Sequence, residues 1–128
     1  MSESAGSLIA GSALAFVVGA VYGLIATVGH QQIWRIGGIE VPWGLVLAVV
    51  GVAALTAGIR LLTAGRLAVA ACAVGLVGVV AVLTLPGPGG SVLIPGGTIG
   101  TIWAIAPALV SVLVVAWPKL PDRTPARA

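Results

Sequence analysis

Four long apolar runs constrain this chain more strongly than any other feature of its sequence. An α-helix needs about 20 apolar residues to cross the roughly 30 Å of hydrocarbon in a bilayer. The runs occupy residues 8–29, 43–62, 67–85 and 98–117, and their only charged residue is Arg60, near the end of the second. Lipid requires every backbone polar group to be bonded within a helix or a closed barrel, and long runs without polar alternation are typical of helices. The sequence therefore predicts an all-α membrane protein with four transmembrane helices.

The composition favours lipid as the solvent of this chain. Charged residues make up 7% of the sequence, whereas a soluble domain carries about 25%. The net charge of +3 comes from scattered residues and not from a basic run. The bilayer is therefore an expected partner, and nucleic acid is not.

The chain divides into a membrane domain, residues 1–118, and a tail, residues 119–128. The connection between the second and third helices is so short that these helices must run antiparallel, and the four helices form two antiparallel hairpins. The tail contains two prolines and no apolar periodicity, so we expect it to be disordered and basic. No Lys or Arg precedes the first run, which therefore predicts a retained helix and not a signal peptide.

The distribution of basic residues predicts the orientation. Lys and Arg are retained on the cytoplasmic side of bacterial membranes. An even number of spans places five of them on the side of the termini and only Arg35 on the other side; the five are Arg60, Arg66, Lys119, Arg123 and Arg127. Both termini are therefore expected in the cytoplasm.

Small residues recur at every fourth position in the first and fourth helices. In lipid, helices associate through close backbone approach, and small residues at this spacing permit it. These faces either pack inside the bundle, which is the favoured interpretation, or contact a partner protein or a second copy. The candidate contact residues are Gly11, Ala15, Gly19 and Gly23 in the first helix, flanked by Ser7 and Thr27, and Gly96, Gly100, Ala104 and Ala108 in the fourth.

Two outer loops connect the helices on the side opposite the termini. The first contains the candidate contact residues His30, Arg35 and Glu40. His30 is interpreted as a polar cap at the interface, and the two charged residues pair either with each other or with a partner. The second loop is uncharged, and its apolar stretch at 92–94 is expected to lie in the interface, dip into the bundle or be covered.

The sequence contains no recognisable catalytic, metal or cofactor site. Proton-coupled transport needs an ionisable group deep in the membrane, and no acidic residue occurs between Glu3 and Glu40. Small multidrug transporters, by contrast, carry a glutamate in their first helix. A lone His30 and a lone Cys72 cannot form a metal site, and no phosphate-binding loop is present.

The loop sequences resemble a known family. GGIEVPWGL and LPGPGGSVLIPGGTIGTIWAIAPALVSVLVVAWPKLP are similar to segments of small four-helix membrane proteins of actinobacteria. The resemblance covers nearly the whole chain. It implies a multi-pass protein of the bacterial plasma membrane and implies no particular chemistry.

These features favour a non-catalytic accessory or assembly subunit of a larger plasma-membrane complex, for example an energy-transducing one. The chain would be held by its small-residue helix faces and its outer loops. An alternative is a homo-oligomeric channel or carrier with the first helix at the symmetry axis. A lipid-processing enzyme is a third hypothesis, and it requires His30, Arg35 and Glu40 to act together.

Overall fold

Four helices and one short β-hairpin make up the structure. The computed structural model describes residues 5–63, 65–87, 94 and 97–118. The elements in chain order are α1 (Ala5–Gly29), β1 (Trp34–Ile36), β2 (Ile39–Val41), α2 (Trp43–Leu62), α3 (Leu67–Leu83) and α4 (Thr98–Ala116). The prediction of four helices is confirmed.

Helix α3 is shorter than the other three helices. By length and composition, α1, α2 and α4 are each able to cross a membrane, whereas α3 has 17 residues and is about 25 Å long. The sequence prediction extended this helix to residue 85 and was too long. The hydroxyl of Thr84 turns back to the Ala81 carbonyl, and Leu85 precedes Pro86, a position that disfavours helical backbone.

The hairpin of β1 and β2 corrects the prediction of an all-α chain. Its strands pair antiparallel, with Trp34 opposite Val41. The two turn residues, Gly37 and Gly38, have φ angles of +58° and +83°, as a two-residue type I′ turn requires. Two glycines between short β-branched stretches were a sequence signal for this hairpin, and the prediction missed it.

The helices that pack most closely are not neighbours in sequence. Helix α1 contacts α3 most extensively, and α2 contacts α4, whereas the contact between α1 and α2 is much smaller. Gly19 lies against Cys72, and Gly23 lies against Leu76. Since both helices advance by four residues between these contacts, α1 and α3 run parallel.

Helices α1 and α2 run antiparallel. Gly44, at the beginning of α2, lies against the Gly29 carbonyl at the end of α1, and Gly51 lies against Tyr22 about two turns further along. The core forms where the four helices meet. Its least exposed members are Val52 from α2, Leu76 and Val80 from α3, and Trp103 from α4.

Candidate functional site

The small-residue face of α1 packs inside the bundle over most of its length. Ala15, Gly19 and Gly23 are buried. A Cβ atom at Gly19 would overlap the backbone carbonyl of Cys72, so the two backbones nearly touch. For these three residues, the structure shows packing within the chain.

Helix α3 contributes a glycine of its own to this contact. Gly75 is buried, and a Cβ atom there would overlap the Phe16 carbonyl. Gly75 is not among the contact residues predicted from the sequence. Ala71 lies four residues before it, so α3 contains the same four-residue spacing of small residues that identified the contact face of α1.

Gly11 belongs to the same four-residue series but lies outside this contact. It is exposed, and a Cβ atom there would have no neighbour within 4 Å. From Gly19 to Gly11 is about two helical turns, and the same step back from Cys72 passes the first residue of α3, Leu67. The first turns of α1 therefore extend beyond the helix that covers the rest of the face.

The corresponding residues of α4 are less tightly packed. Gly100 is buried, whereas Ala104 and Ala108 are half-buried. Gly96 lies outside the described residues, as does the tail at 119–128. Ile94, between α3 and α4, is 6% exposed and packs in the hydrophobic core.

His30 is buried and is therefore not an exposed contact residue of the loop that follows α1. Its side chain is 0% exposed and stacks on the ring of Trp103, with ring centroids 5.7 Å apart and an interplanar angle of 20°. The amide of His30 bonds the Ala26 carbonyl, so the helical turn continues past Gly29. His30 therefore lies three residues after Thr27, on the same buried face of the helix. This spacing could have been recognised from the sequence.

A chain of polar contacts joins the ends of α1 and α4 at this point. The indole Nε1 of Trp103 donates to the Thr27 hydroxyl at 3.0 Å. Nδ1 of His30 lies 2.5 Å from the Thr27 carbonyl and must carry the proton, because a carbonyl only accepts. Nε2 of His30 has no hydrogen-bond partner among the described residues.

Arg35 and Glu40 pair with each other on the surface. They lie directly opposite in the hairpin, with Nε of Arg35 3.3 Å from a carboxylate oxygen of Glu40, and both side chains are mostly exposed. His30 is buried and hydrogen-bonds neither of them. The structure therefore does not bring the three residues into one catalytic arrangement.

Hydroxyl groups inside the bundle bond backbone carbonyls. The Tyr22 hydroxyl donates to the Ala48 carbonyl at 2.7 Å, in a space that exists because residue 51 is glycine. Thr56 donates to the Val52 carbonyl one turn back. The buried hydroxyl of Ser111, by contrast, has no partner in the described part of the chain.

Two arginines meet at the opposite end of the bundle from His30. Arg60, near the end of α2, and Arg66, just before α3, both donate to the backbone carbonyl of Trp117, which follows α4. This carbonyl therefore connects three helix ends.

Comparison with known proteins identifies no relative of this chain. No protein-family model, curated protein or solved structure matches this chain. The resemblance to actinobacterial membrane proteins stays a prediction. Within the described ranges, no group of three or more His, Cys, Asp or Glu residues is placed to hold a metal ion.

Proposed function

We propose that this chain is a non-catalytic accessory or assembly subunit of a larger bacterial plasma-membrane complex, with both termini in the cytoplasm. One observation carries the proposal: between residues 13 and 28, the outward surface of α1 is entirely apolar. Every exposed side chain between residues 13 and 28 is Ala, Leu, Phe, Val or Ile. Such a surface suits lipid or an apolar helix of another protein.

A partner helix can approach the backbone of α1 most closely at the first turns of that helix. Gly11 is open to its surroundings, and a helix crossing there meets backbone without an intervening side chain. Gly19 and Gly23 are already covered by α3, and Ala15 is buried within the bundle. The partner-facing part of the small-residue series is therefore reduced to the region around Gly11.

The hairpin supplies a second contact on the other side of the membrane. Trp34, Ile36 and Ile39 are between 57% and 68% exposed, and the two strands pair only with each other in the described structure. An exposed strand edge with apolar side chains is a surface that other chains readily cover. Because Arg35 and Glu40 neutralise each other, a largely apolar partner surface fits there.

The same apolar surface disfavours the alternative of a homo-oligomeric channel or carrier. A pore with α1 at its axis would be lined by valine, leucine, isoleucine and phenylalanine. Tyr22 and Thr56 do not line such a path, since their hydroxyls bond carbonyls within the bundle. A water-filled path therefore has few polar groups to line it.

Co-purification tests the proposal directly. The tagged chain is extracted from its own membranes in mild detergent, and co-purifying proteins are identified and quantified. We expect stoichiometric larger partners that are lost with Gly11→Leu but kept with Val18→Leu, a matched change on the exposed side of α1. Recovery of the chain alone as a homo-oligomer would instead support the channel hypothesis.

Cysteine labelling in intact cells tests the orientation. In a Cys72→Ala background, a cysteine at exposed Gln31 should react with an impermeant thiol reagent. A cysteine at Arg127 should react only after the membrane is permeabilised. Labelling of position 127 in intact cells would reverse the proposed topology.

A further inference from the structure

Arg60 and Arg66 bring two positive charges to a single backbone atom. Nη2 of each side chain donates to the carbonyl oxygen of Trp117, at 3.2 Å for Arg66. A carbonyl carries a dipole but no full negative charge, so it does not balance two guanidinium groups. Two like charges held this close repel each other unless an anion lies nearby.

No counter-ion for this pair exists among the described residues. Their only carboxylate is Glu40, which is paired with Arg35 in the outer hairpin. Each guanidinium has five N–H donors in a planar fork. One donor of each arginine bonds Trp117, so most of the remaining donors are available to an anion with several oxygen atoms.

The surroundings of the arginine pair are apolar and exposed. Leu61 and Leu62 follow Arg60 and are 75% and 88% exposed, while Leu67 follows Arg66 and is 51% exposed. The Trp117 side chain is also exposed. A small soluble anion gains no favourable contact from these exposed apolar side chains. A phospholipid, by contrast, places its phosphate beside the two arginines and its acyl chains against the leucines.

We propose that Arg60 and Arg66 form a binding site for the phosphate group of an anionic phospholipid. Guanidinium groups bind phosphate oxygens through paired hydrogen bonds, with more geometric specificity than an ammonium group. The lipid supplies the missing negative charge at the point where the ends of α2 and α4 meet the beginning of α3. This inference does not depend on the proposed partner complex.

Lipid binding to the purified full-length chain tests the site. Dissociation constants for phosphatidylglycerol and phosphatidylcholine are measured by native mass spectrometry from detergent. A basic residue near a membrane surface contributes about fivefold to the affinity for anionic lipid. We expect Arg66→Gln to weaken phosphatidylglycerol binding about fivefold and the double variant with Arg60→Gln about 25-fold, with phosphatidylcholine unaffected.

Arg35→Gln is the matched control, because it removes the same charge at the outer hairpin. It should leave phosphatidylglycerol binding unchanged. If it weakens binding as much as Arg66→Gln does, the effect is one of net charge and the site is wrong. Equal affinity of the wild-type chain for the two lipids would also overturn the proposal. Helical content by circular dichroism verifies that each variant is folded, and Arg66→Gln alone provides the test if the double variant is not.

Two further measurements separate the lipid from other anions. Inorganic phosphate at millimolar concentration should not displace phosphatidylglycerol, and displacement would indicate a site for free anions. Asp122 in the tail is another candidate anion. If wild type does not distinguish the two lipids but Asp122→Asn does, the tail carboxylate occupies the arginine pair and the lipid proposal fails.

Discussion

The first turns of α1 and the remainder of that helix carry the same spacing of small residues but have different surroundings. Gly19 lies so close to Cys72 that no Cβ atom fits between them, whereas a Cβ atom at Gly11 would meet nothing within 4 Å outside its own stretch of helix. The difference arises in α3, which has 17 residues against the 25 of α1 and begins too late to reach Gly11. Small-residue spacing therefore predicts where a close approach can occur, and the length of the opposing helix decides where it does occur.

The largest effect is expected at the closest contact. Gly19→Leu should lower the free energy of unfolding by about 3 kcal/mol, because the added side chain must separate two packed backbones. Unfolding in mixed micelles measures the change. Gly19→Ala adds only the Cβ atom and should fall between wild type and the leucine variant.

Gly11→Leu is the control, because it tests whether positions 11 and 19 of α1 differ in their packing. At this exposed position the same substitution should change the free energy of unfolding by less than about 0.5 kcal/mol. Equal losses at positions 11 and 19 would mean that the two parts of α1 are packed alike, contrary to the structure.

The next largest effect is expected where α1 meets α4. Thr27→Val preserves the shape of the side chain but removes the acceptor of the buried Trp103 indole N–H. An unsatisfied buried donor costs about 1–3 kcal/mol, so the free energy of unfolding should fall by that amount. Thr63→Val, at an exposed hydroxyl that bonds its own helix, should change little. Equal effects of the two valine substitutions would exclude a special role for the Thr27 contact.

A smaller effect is expected at the contact between α1 and α2. Tyr22→Phe removes the hydrogen bond to the Ala48 carbonyl and should cost about 1 kcal/mol. Gly51→Ala places a Cβ atom against the Tyr22 hydroxyl, so it should be more costly in wild type than in the Tyr22→Phe variant. Additive effects of the two substitutions in a double-mutant cycle would show that these residues do not contact each other.

The smallest effect is expected in the exposed hairpin of β1 and β2. Arg35→Gln breaks an exposed ion pair with Glu40, and such pairs typically contribute less than about 1 kcal/mol. Any loss of unfolding free energy should disappear at 1 M salt, since exposed charges are screened. A salt-independent loss comparable to that of Thr27→Val would show that the hairpin stabilises the bundle.

Several structural features follow from short stretches of the sequence, although two of them are recognised only when the spacing of residues along a turn or a helix is considered. The run at 43–62 coincides with α2 (Trp43–Leu62), because long apolar segments report helices directly. The Gly37-Gly38 turn and the position of His30 three residues after Thr27 were also present in the sequence. His30 was expected among the loop contacts because it is polar, whereas its helical spacing placed it on the buried face beside Trp103.

The sequence by itself determined the number of helices and their approximate positions, because apolar length and the need for internal backbone hydrogen bonds are properties of each segment alone. Only the tertiary structure decided that α1 packs on α3 and that Gly19 is covered while Gly11 is not. It also decided that Arg60 and Arg66 converge on Trp117. Each of these depends on the lengths and offsets of two or more helices at once, and in lipid no hydrophobic force between helices selects the partner ahead of close packing.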